Sequence, residues 1–197
     1  MKQAYSIRMA KEADAPALLD IYRPYVEQTA ITFEYDVPTS AEFARRITAT
    51  LQRYPYLVAE ADGVPVGYAY AAPFKERAAY DWAVETSIYV RQGLASRGCG
   101  GQLYNALERL LRAQHILNLN ACIAWTAEAD AHLDNNSTEF HAHLGYVPVG
   151  AFHQCGYKFG RWYDMIWMEK MLSPHPETPK PVLPVSQIDW ASLLSEP

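Results

Sequence analysis

Apolar and polar positions alternate along the first part of the chain in a way that predicts a strand followed by two helices. Residues 5–9 form a short extended run, and apolar side chains between positions 18 and 25 then recur at i, i+3, i+4 and i+7, which is typical of one face of an amphipathic helix. Thr39 and Glu42 form a capping box in front of a second helical stripe. We expect this second helix to end before Pro55.

The middle of the chain predicts three strands. Residues 56–59 and 64–71 flank a turn at 61–63, which is typical of a hairpin because its glycine adopts a positive φ without strain. Residues 82–90 alternate between apolar and polar side chains, the period of a strand. Glu85 is the one charged residue of this run, and it lies on its less apolar face.

A glycine-rich turn at 93–101 leads from this strand into a helical stripe at 103–111. The remaining pattern predicts, in order, a strand, a helix and two antiparallel strands at 119–126, 137–144, 147–152 and 162–171. The whole series predicts a mixed α/β fold, in which a central, partly antiparallel sheet is covered by helices on both faces.

The last 25 residues differ from the rest in composition. A chain of 197 residues fits one domain, which we expect to span residues 1–172, and six of its 13 prolines fall within 173–197. Proline-rich composition alone predicts disorder, but residues 181–190 are too apolar for a solvated linker. We therefore expect this tail to lie extended against the domain or against a partner subunit.

The charge balance and the cysteines exclude several classes of partner. With 17 basic and 22 acidic residues the formal charge is −5, which leaves no basic stripe for a nucleic acid. No window approaches the ~18 consecutive apolar residues of a membrane span. Three cysteines without metal-ligand spacing, and an N-terminal stretch without the apolar segment of a signal peptide, favour a cytoplasmic location and no bound metal.

The glycine-rich turn is a candidate phosphate site. Gly98, Gly100 and Gly101 are placed to expose main-chain N–H groups at a helix N-terminus, where the helix dipole favours an anion, and Arg97 is adjacent. The turn lacks the Gly-Lys-Ser/Thr of a Walker A motif and the βαβ context of a dinucleotide site. If the turn binds phosphate, the ligand is therefore a phosphate-bearing cofactor of another kind. The alternative is that the turn binds no ligand and only connects the strand to the helix.

Three segments of the chain resemble the GNAT family of acyl-CoA N-acyltransferases. They are the strand at 84–90, the turn at 97–101 and residues 140–146, and the resemblance extends over nearly the whole chain with an apparent insertion at 127–133. It implies a three-layer fold, acetyl-CoA as cofactor and a homodimer. It also implies that acetyl is transferred to the α-amine of a small acidic amino-acid analogue of the phosphinothricin or methionine sulfone and sulfoximine type.

The same resemblance implies a cofactor site along the strand that ends at Val90, with the pyrophosphate on the glycine-rich turn. The chain departs from the family pattern at Ala95, where glutamine or arginine is usual, and at Asp134, where asparagine is usual. Arg97 is therefore expected to supply the cation. The expected cofactor-binding residues are Ile88, Tyr89, Val90, Arg97, Gly98, Cys99, Gly100, Gly101, Gln102, Asn135 and Asn136.

Acetyl transfer needs a group that accepts the proton of the amine, because an α-amino group with a pKa of about 8 is largely protonated at pH 7. Glu85 is the candidate base, since partial burial raises the pKa of a carboxyl; a structural glutamate is the alternative. The resemblance places His141 near the thioester sulfur, where it is expected to act as a base, to protonate the departing thiolate, or to be structural. Because Cys99 lies opposite the phosphate, we expect direct transfer without an acyl-enzyme.

Cations near Glu85 suit an acidic acceptor. Lys75 and Arg77 precede Glu85 closely enough for a loop to bring them over the strand, and the resemblance places both, with Tyr80, at the amino-acid substrate. A solvated loop is the alternative, because most lysine and arginine side chains are exposed. The expected substrate-binding residues are Phe33, Lys75, Arg77, Tyr80 and Tyr89, with Arg161 as a further carboxylate partner.

Two other functions stay open from the sequence. One is acetylation of a different amine, such as a polyamine, an aminoglycoside or a peptide N-terminus, but a polycationic acceptor favours acidic residues where Lys75 and Arg77 stand. The other is a CoA-binding sensor without catalysis, against which the presence of Glu85 and His141 argues.

Overall fold

The computed structural model describes residues 5–94 and 98–195 and confirms the predicted mixed α/β fold. One seven-stranded sheet has the order β1-β2-β3-β4-β5-β7-β6. The elements along the chain are β1 (Ser6–Met9), α1 (Ala15–Gln28), α2 (Ser40–Leu51), β2 (Tyr56–Ala61), β3 (Val64–Pro73), β4 (Ala83–Val90), α3 (Cys99–Ala113), β5 (Asn118–Trp125), α4 (Asn136–His143), β6 (Val147–Lys158), β7 (Arg161–Met171) and α5 (Trp190–Ser195). None of the helices described is long and apolar enough to span a membrane.

β4 and β5 run parallel and diverge after three residue pairs. The other neighbouring strands of the sheet are antiparallel. The β4–β5 ladder extends only from the pair Ala83–Asn118 to the pair Glu85–Asn120, although both strands continue for several residues. The divergence opens a cleft in the middle of the sheet.

Two hydrophobic cores cover the two faces of the sheet. α3 packs on one face through a fully buried stripe of leucines. α1 and α2 pack on the other face, where five of the 14 tyrosines form a row of stacked and edge-on rings: Tyr22, Tyr56, Tyr68, Tyr70 and Tyr89. We call these the α3 face and the α1 face.

Alternation along β4 sends consecutive side chains to opposite faces. Val84 and Ile88 join the core of the α3 face, and Tyr89 joins the tyrosine row of the α1 face. Because side chains alternate along a strand, Thr86 belongs to the α3 face and Glu85 to the α1 face. Polar side chains from both faces of the sheet therefore lie next to the cleft between β4 and β5.

The tail after β7 runs along the domain, and main-chain groups of the tail form hydrogen bonds with it. Gln114 Nε2 donates to the Leu183 carbonyl at 2.6 Å, and the Val185 N–H donates to the Arg53 carbonyl at 3.0 Å. Val185 is buried. α5, a short helix within this tail, was not predicted, because six residues are too short for the i, i+3, i+4 spacing of Trp190, Leu193 and Leu194 to repeat.

Candidate active site

The cleft between β4 and β5 is lined by both strands and flanked by residues from both faces of the sheet. Its walls are residues 86–89 and 121–124. Ile31, in the loop that follows α1, lines it together with Tyr104 of α3 and His141 of α4. Main-chain groups of β4 and side chains from three other elements thus meet in one place.

The main chain of β4 has a free edge along this cleft. β3 pairs with the opposite edge of β4 along its length, whereas pairing with β5 stops at Glu85. Unpaired N–H and C=O groups at a strand edge bind extended ligands as an added strand does. The predicted cofactor residues Ile88, Tyr89 and Val90 lie on this edge, and the Val90 carbonyl also accepts a hydrogen bond from Tyr25 Oη.

The glycine-rich turn brings the N-terminus of α3 beside the end of β4. Gly98 is the N-cap with a φ of +87°, a left-handed conformation that favours glycine. A Cβ on Gly100 would lie 3.0 Å from the Phe140 ring and 3.4 Å from Ile88 Cδ1, whereas a Cβ on Gly101 would meet open space. The N–H groups of this first turn have no intrahelical acceptor. They fit the diphosphate of a CoA-type cofactor.

Of the other predicted residues of the turn, Cys99 and Gln102 lie within the described part of the chain. Cys99 is buried, and burial raises the pKa of its thiol to about 11, which keeps the thiol protonated. Gln102 Oε1 accepts a hydrogen bond from the Tyr5 N–H at 3.2 Å. Arg97 lies outside the described residues.

Asn135 and Asn136 have partners within the chain. Asn135 Nδ2 donates to the Thr126 carbonyl at 2.9 Å, and Asn135 Oδ1 accepts from the Thr126 N–H at 3.4 Å. Asn136 donates to the carboxylate of Asp134. These contacts join the start of α4 to the end of β5, so both amides support α4 at the side of the cleft.

Glu85 stands at the last residue pair before the strands diverge. Its side chain is half-buried; burial raises the pKa of its carboxyl above the ordinary value, and the charge of Lys75 acts in the opposite direction. No group in the described part of the chain donates a hydrogen bond to this carboxylate. A partly desolvated carboxylate without a donor binds a proton more readily than one in water. Glu85 is therefore suited to accept a proton.

His141, on the opposite face, is buried and hydrogen-bonded through both ring nitrogens. Its Nδ1 lies 2.7 Å from the Ser137 carbonyl, which can only accept, so Nδ1 carries the proton. Its Nε2 lies 2.9 Å from Tyr104 Oη and accepts from that hydroxyl. Burial lowers the pKa of His141 below its ordinary value, so the ring is neutral at pH 7.

Tyr104 and Thr86 extend this network, and neither was predicted from the sequence. Tyr104 Oη lies 3.3 Å from Thr86 Oγ1, which lies 3.2 Å from Tyr146 Oη and 3.3 Å from the Asn120 carbonyl. Because Tyr104 donates its proton to His141, the single proton of Thr86 is donated either to Tyr104 Oη or to the Asn120 carbonyl. The signal that the sequence offered is a hydroxyl within the leucine stripe of α3, because a buried tyrosine usually hydrogen-bonds. The network fixes Tyr104 and His141 at the cleft.

Lys75 lies on the same side of the cleft as Glu85. Its Nζ stands over the rings of Phe74 and Trp167, at 4.8 and 5.5 Å from their centroids. Trp167 is opposite Cys122 in the β5–β7 ladder, and alternation places both on the α1 face with Glu85. A cation and a proton acceptor therefore border the same region.

The other predicted substrate residues are spread around this region. Tyr80 is exposed and packs edge-on against Phe74 with ring centroids 5.9 Å apart, and Arg77 is exposed at the start of the same 3-10 turn. Phe33 lies in the loop after α1 and packs near Tyr163, with ring centroids 6.4 Å apart. Tyr89 is packed within the tyrosine row, so its ring is held by α1.

Arg161, considered from the sequence as a carboxylate partner for a substrate, binds a carboxylate of the chain itself. Its Nη1 lies 2.6 Å from Asp130 Oδ2, and its Nη2 donates to Thr126 Oγ1 at 3.1 Å. Asp130 belongs to the segment that the resemblance marked as an insertion. Arg161 thereby holds that segment, and its charge is paired with that of Asp130.

The cysteines give no sign of covalent chemistry. Cys122, in the wall of the cleft, has a thiol whose pKa is raised to about 12 by burial, so it is a weak nucleophile. All three cysteines are free. Across the described ranges, no group of three or more His, Cys, Asp or Glu side chains is arranged to hold a metal ion.

The known proteins to which the chain is similar are acetyltransferases. A profile of the acetyltransferase (GNAT) domain matches residues 7–167. The chain is 37% identical to phosphinothricin N-acetyltransferase of Streptomyces viridochromogenes over 189 residues, covering 95% of this chain and 98% of that protein. It is 36% identical to the L-methionine sulfoximine/L-methionine sulfone acetyltransferase of Pseudomonas aeruginosa over 176 residues, covering 88% and 98%. The crystal structure of a GNAT superfamily phosphinothricin acetyltransferase from Sinorhizobium meliloti in complex with acetyl-CoA superposes with a TM-score of 0.80 at 31% identity, covering 93% of this chain and 99% of that one.

Proposed function

The chain belongs to the GNAT family of acetyltransferases, and we propose that it transfers acetyl to the α-amino group of a small acidic amino-acid analogue. It is an acetyl-CoA-dependent N-acetyltransferase, as its domain match and its relatives agree. The proposal concerns the acceptor and the residues that serve it. Phosphinothricin, methionine sulfone and methionine sulfoximine are the acceptors that the names of the relatives suggest.

The observation that carries the acceptor class is the placement of Glu85 and Lys75 on one side of the cleft. The half-buried carboxylate has a raised pKa, and the ammonium is close enough to lower that pKa in part. An α-amino acid presents an amine that must lose a proton and a carboxylate that needs a cation. Glu85 and Lys75 supply these two groups, and exposed Arg77 adds a second positive charge to the same loop.

Different residues of the chain bind the cofactor and accept the proton. Acetyl-CoA supplies the acetyl group as a thioester, from which a thiolate departs as the new C–N bond forms. The free edge of β4 and the first turn of α3 bind and orient this cofactor, with Gly98 to Gly101 at its diphosphate. Glu85 accepts a proton from the amine on one carboxylate oxygen and returns it to solvent.

His141 is proposed to position Tyr104 at the cleft. A neutral ring whose Nδ1–H is given to the Ser137 carbonyl has no proton to offer the departing thiolate. That thiolate needs little assistance, because thiols have a pKa of about 8.5. Hydrogen bonding from Tyr104 Oη to His141 Nε2 instead helps to hold the buried Tyr104 ring in the wall of the cleft.

A thiol-release assay with a panel of amines tests the proposed acceptor. Purified enzyme and acetyl-CoA are mixed with phosphinothricin, methionine sulfone, methionine sulfoximine, glutamate, spermidine, an aminoglycoside or a short peptide, and free thiol is followed over time. We expect kcat/KM to be highest for the amino-acid analogues. Thiol release with only the polyamine, aminoglycoside or peptide contradicts the proposal, and binding of CoA without turnover of any amine supports a sensor.

We further propose that the protein is a homodimer that covers the outer edge of the sheet. β6 is an edge strand, and Val147, Val149 and Phe152 on it are 56%, 60% and 61% exposed. An exposed apolar edge strand favours association. Light scattering is expected to give twice the chain mass, and Val149→Lys is expected to shift it towards the monomer; a monomeric wild-type protein contradicts this part of the proposal.

A cytoplasmic location is the last part of the proposal. Cys99 is buried, Cys155 is exposed, and all three cysteines are unbridged. Free thiols persist in a reducing compartment. Fractionation of the source cells should recover the protein with cytosolic markers, and recovery in an oxidising compartment would contradict it.

A further inference from the structure

A buried lysine on β6 binds three main-chain carbonyls at the end of α1. Lys158 is 3% exposed, and its Nζ donates to the carbonyls of Val26, Thr29 and Thr32, each at 2.8 Å. An ammonium has three N–H donors, so this arrangement uses all of them. Burial lowers the pKa of the Lys158 amine, and the charge of Glu34 opposes that shift. A buried cation held only by backbone is costly unless its hydrogen bonds are complete.

The three carbonyls span the point at which α1 ends and the following loop begins. Val26 is in the last turn of α1, where carbonyls lack intrahelical donors and the helix dipole favours a cation. Thr29 and Thr32 belong to the loop at 29–39. Between them lies Ile31, which lines the cleft. Lys158 therefore fixes the main chain on both sides of a residue that touches the active site.

The same loop lies on the side of the cleft that carries Glu85. Ala30 is fully buried and packs in one cluster with Ala124, Ile31 and Phe33. In the parallel ladder Asn120 is opposite Glu85, and alternation puts Ala124 on the same face as Asn120. The loop thus borders the region where the proposed acceptor binds.

A second contact from β6 holds the loop close to Lys158. A Cβ on Gly156 would lie 2.1 Å from Phe33 Cε2, so the Phe33 ring rests directly on the Gly156 main chain. Tyr35 Oη also donates to the Tyr157 carbonyl. β6 therefore docks the loop through three consecutive residues, of which Lys158 is the buried and charged one.

We propose that Lys158 is a positioning residue for the acceptor amine, because its three hydrogen bonds hold the loop at 29–39 against the cleft. This inference rests on the proposed function for its kinetic test. It assigns Lys158 no contact with the substrate. Its effect is on the binding of the acceptor, since the loop lies on the face of the sheet that carries Glu85, whereas the first turn of α3 lies on the other face.

Lys170 offers a matched control for the loss of a partly buried lysine. It lies on β7, and its Nζ pairs with Glu108 Oε1 on α3 at 2.6 Å, on the opposite face of the sheet. Its side chain is 21% exposed. Lys170→Met removes a partly buried ammonium of the same size without touching the loop.

Steady-state kinetics and amide hydrogen exchange of Lys158→Met test the proposal. We expect the acceptor KM to rise at least tenfold, with kcat and the acetyl-CoA KM within threefold of the wild type. Exchange at amides 29–34 should accelerate at least tenfold in Lys158→Met and remain unchanged in Lys170→Met. Equal losses in both KM values, a fall in kcat alone, or the same acceptor effect in Lys170→Met overturns the proposal.

Two further arrangements keep the test decisive. If Lys158→Met does not fold, Gly156→Ala displaces Phe33 from the same loop, and it is expected to raise the acceptor KM with the acetyl-CoA KM unchanged; an unchanged acceptor KM overturns the proposal. If no amino-acid analogue is acetylated by the wild type, the proposed acceptor is wrong, and the exchange at amides 29–34 still decides the role of Lys158. Unchanged exchange in that segment overturns it.

Discussion

The two faces of β4 hold their polar groups in opposite ways. On the α3 face Thr86, Tyr104 and His141 are joined by hydrogen bonds and are buried. On the α1 face the carboxylate of Glu85 is half-buried and has no donor among the residues described. Buried polar groups with partners stabilise a fold, whereas a desolvated carboxylate costs free energy. We propose that the fold needs the network on the α3 face and that the reaction needs the carboxylate on the α1 face.

The pKa shifts of Glu85 and His141 make their contributions to folding stability depend on pH in opposite ways. Because burial raises the pKa of Glu85 in the fold, the stability it contributes is present below the ordinary carboxyl pKa and is lost as pH rises through the raised value. Because burial lowers the pKa of His141, the stability it contributes is present above the ordinary imidazole pKa and is lost as pH falls through the lowered value. At pH 7 Glu85 therefore opposes folding and His141 supports it.

Replacing Glu85 should give the largest change in activity. Glu85→Gln keeps the shape but cannot accept a proton, so kcat is expected to fall by about 10²- to 10³-fold, with a melting temperature equal to or above that of the wild type at pH 7. Glu169→Gln, the same change two strands away on the α1 face, is the control. A kcat within threefold of the wild type, or a similar loss in the control, contradicts the assignment.

Replacing His141 should lower the stability of the protein and should lower kcat less than replacing Glu85 does. His141→Phe removes the acceptor of Tyr104 Oη and the donor to the Ser137 carbonyl, so we expect unfolding to cost about 1–3 kcal/mol less and kcat to fall by only about 10- to 30-fold. His143→Phe, two residues away and exposed, should change neither. Denaturant unfolding and thiol release measure the two effects. Full stability together with a loss of kcat as large as that of Glu85→Gln would make His141 a group that transfers protons.

Replacing Lys75 should alter both substrate binding and the titration of Glu85. Lys75→Met removes a cation that we assign to the acceptor carboxylate, so the acceptor KM is expected to rise about tenfold. The charge of Lys75 lowers the pKa of Glu85, so its loss should also move the acid limb of the rate profile to higher pH. Lys180→Met, an exposed lysine of the tail, is the control. An unmoved acid limb shows that Lys75 does not act on the group that titrates.

Removing one hydroxyl from the network should have the smallest effect. Tyr104→Phe leaves His141 Nε2 without its donor, and we expect a loss of about 1 kcal/mol in unfolding free energy with kcat within about threefold of the wild type. Tyr68→Phe, buried in the tyrosine row of the α1 face, provides a matched control for kcat. A fall in kcat of more than 30-fold with unchanged stability would show that Tyr104 takes part in the reaction and does not only support the network.

The sequence predicted the parts of the site that depend on local pattern. Alternation at 82–90 placed Glu85 on a strand, and the glycines at 98–101 marked the turn into α3; the structure has both features. The resemblance supplied the family and the cofactor, which the comparisons confirm. These features follow from residues that are neighbours in the chain.

The sequence did not predict contacts between distant segments. The partners of Lys158 are carbonyls more than a hundred residues earlier, and carbonyls leave no mark in a sequence because every residue has one. The sequence shows the positive charge of Arg161, which is why Arg161 is a candidate partner for the substrate carboxylate. The carboxylate that binds it, that of Asp130, is 31 residues away in an irregular segment. The pairing of such groups depends on how β5, β6 and β7 bring them together.

The pH dependence of kcat/KM in the wild type and in Glu85→Gln tests the central assignment most directly. The wild type should show an acid limb of unit slope at a pH above the ordinary carboxyl pKa, because Glu85 must lose its proton before it can accept one from the amine. The variant should lack this limb and retain only the titration of the amine at higher pH. An acid limb of the same position and slope in both proteins would contradict the account.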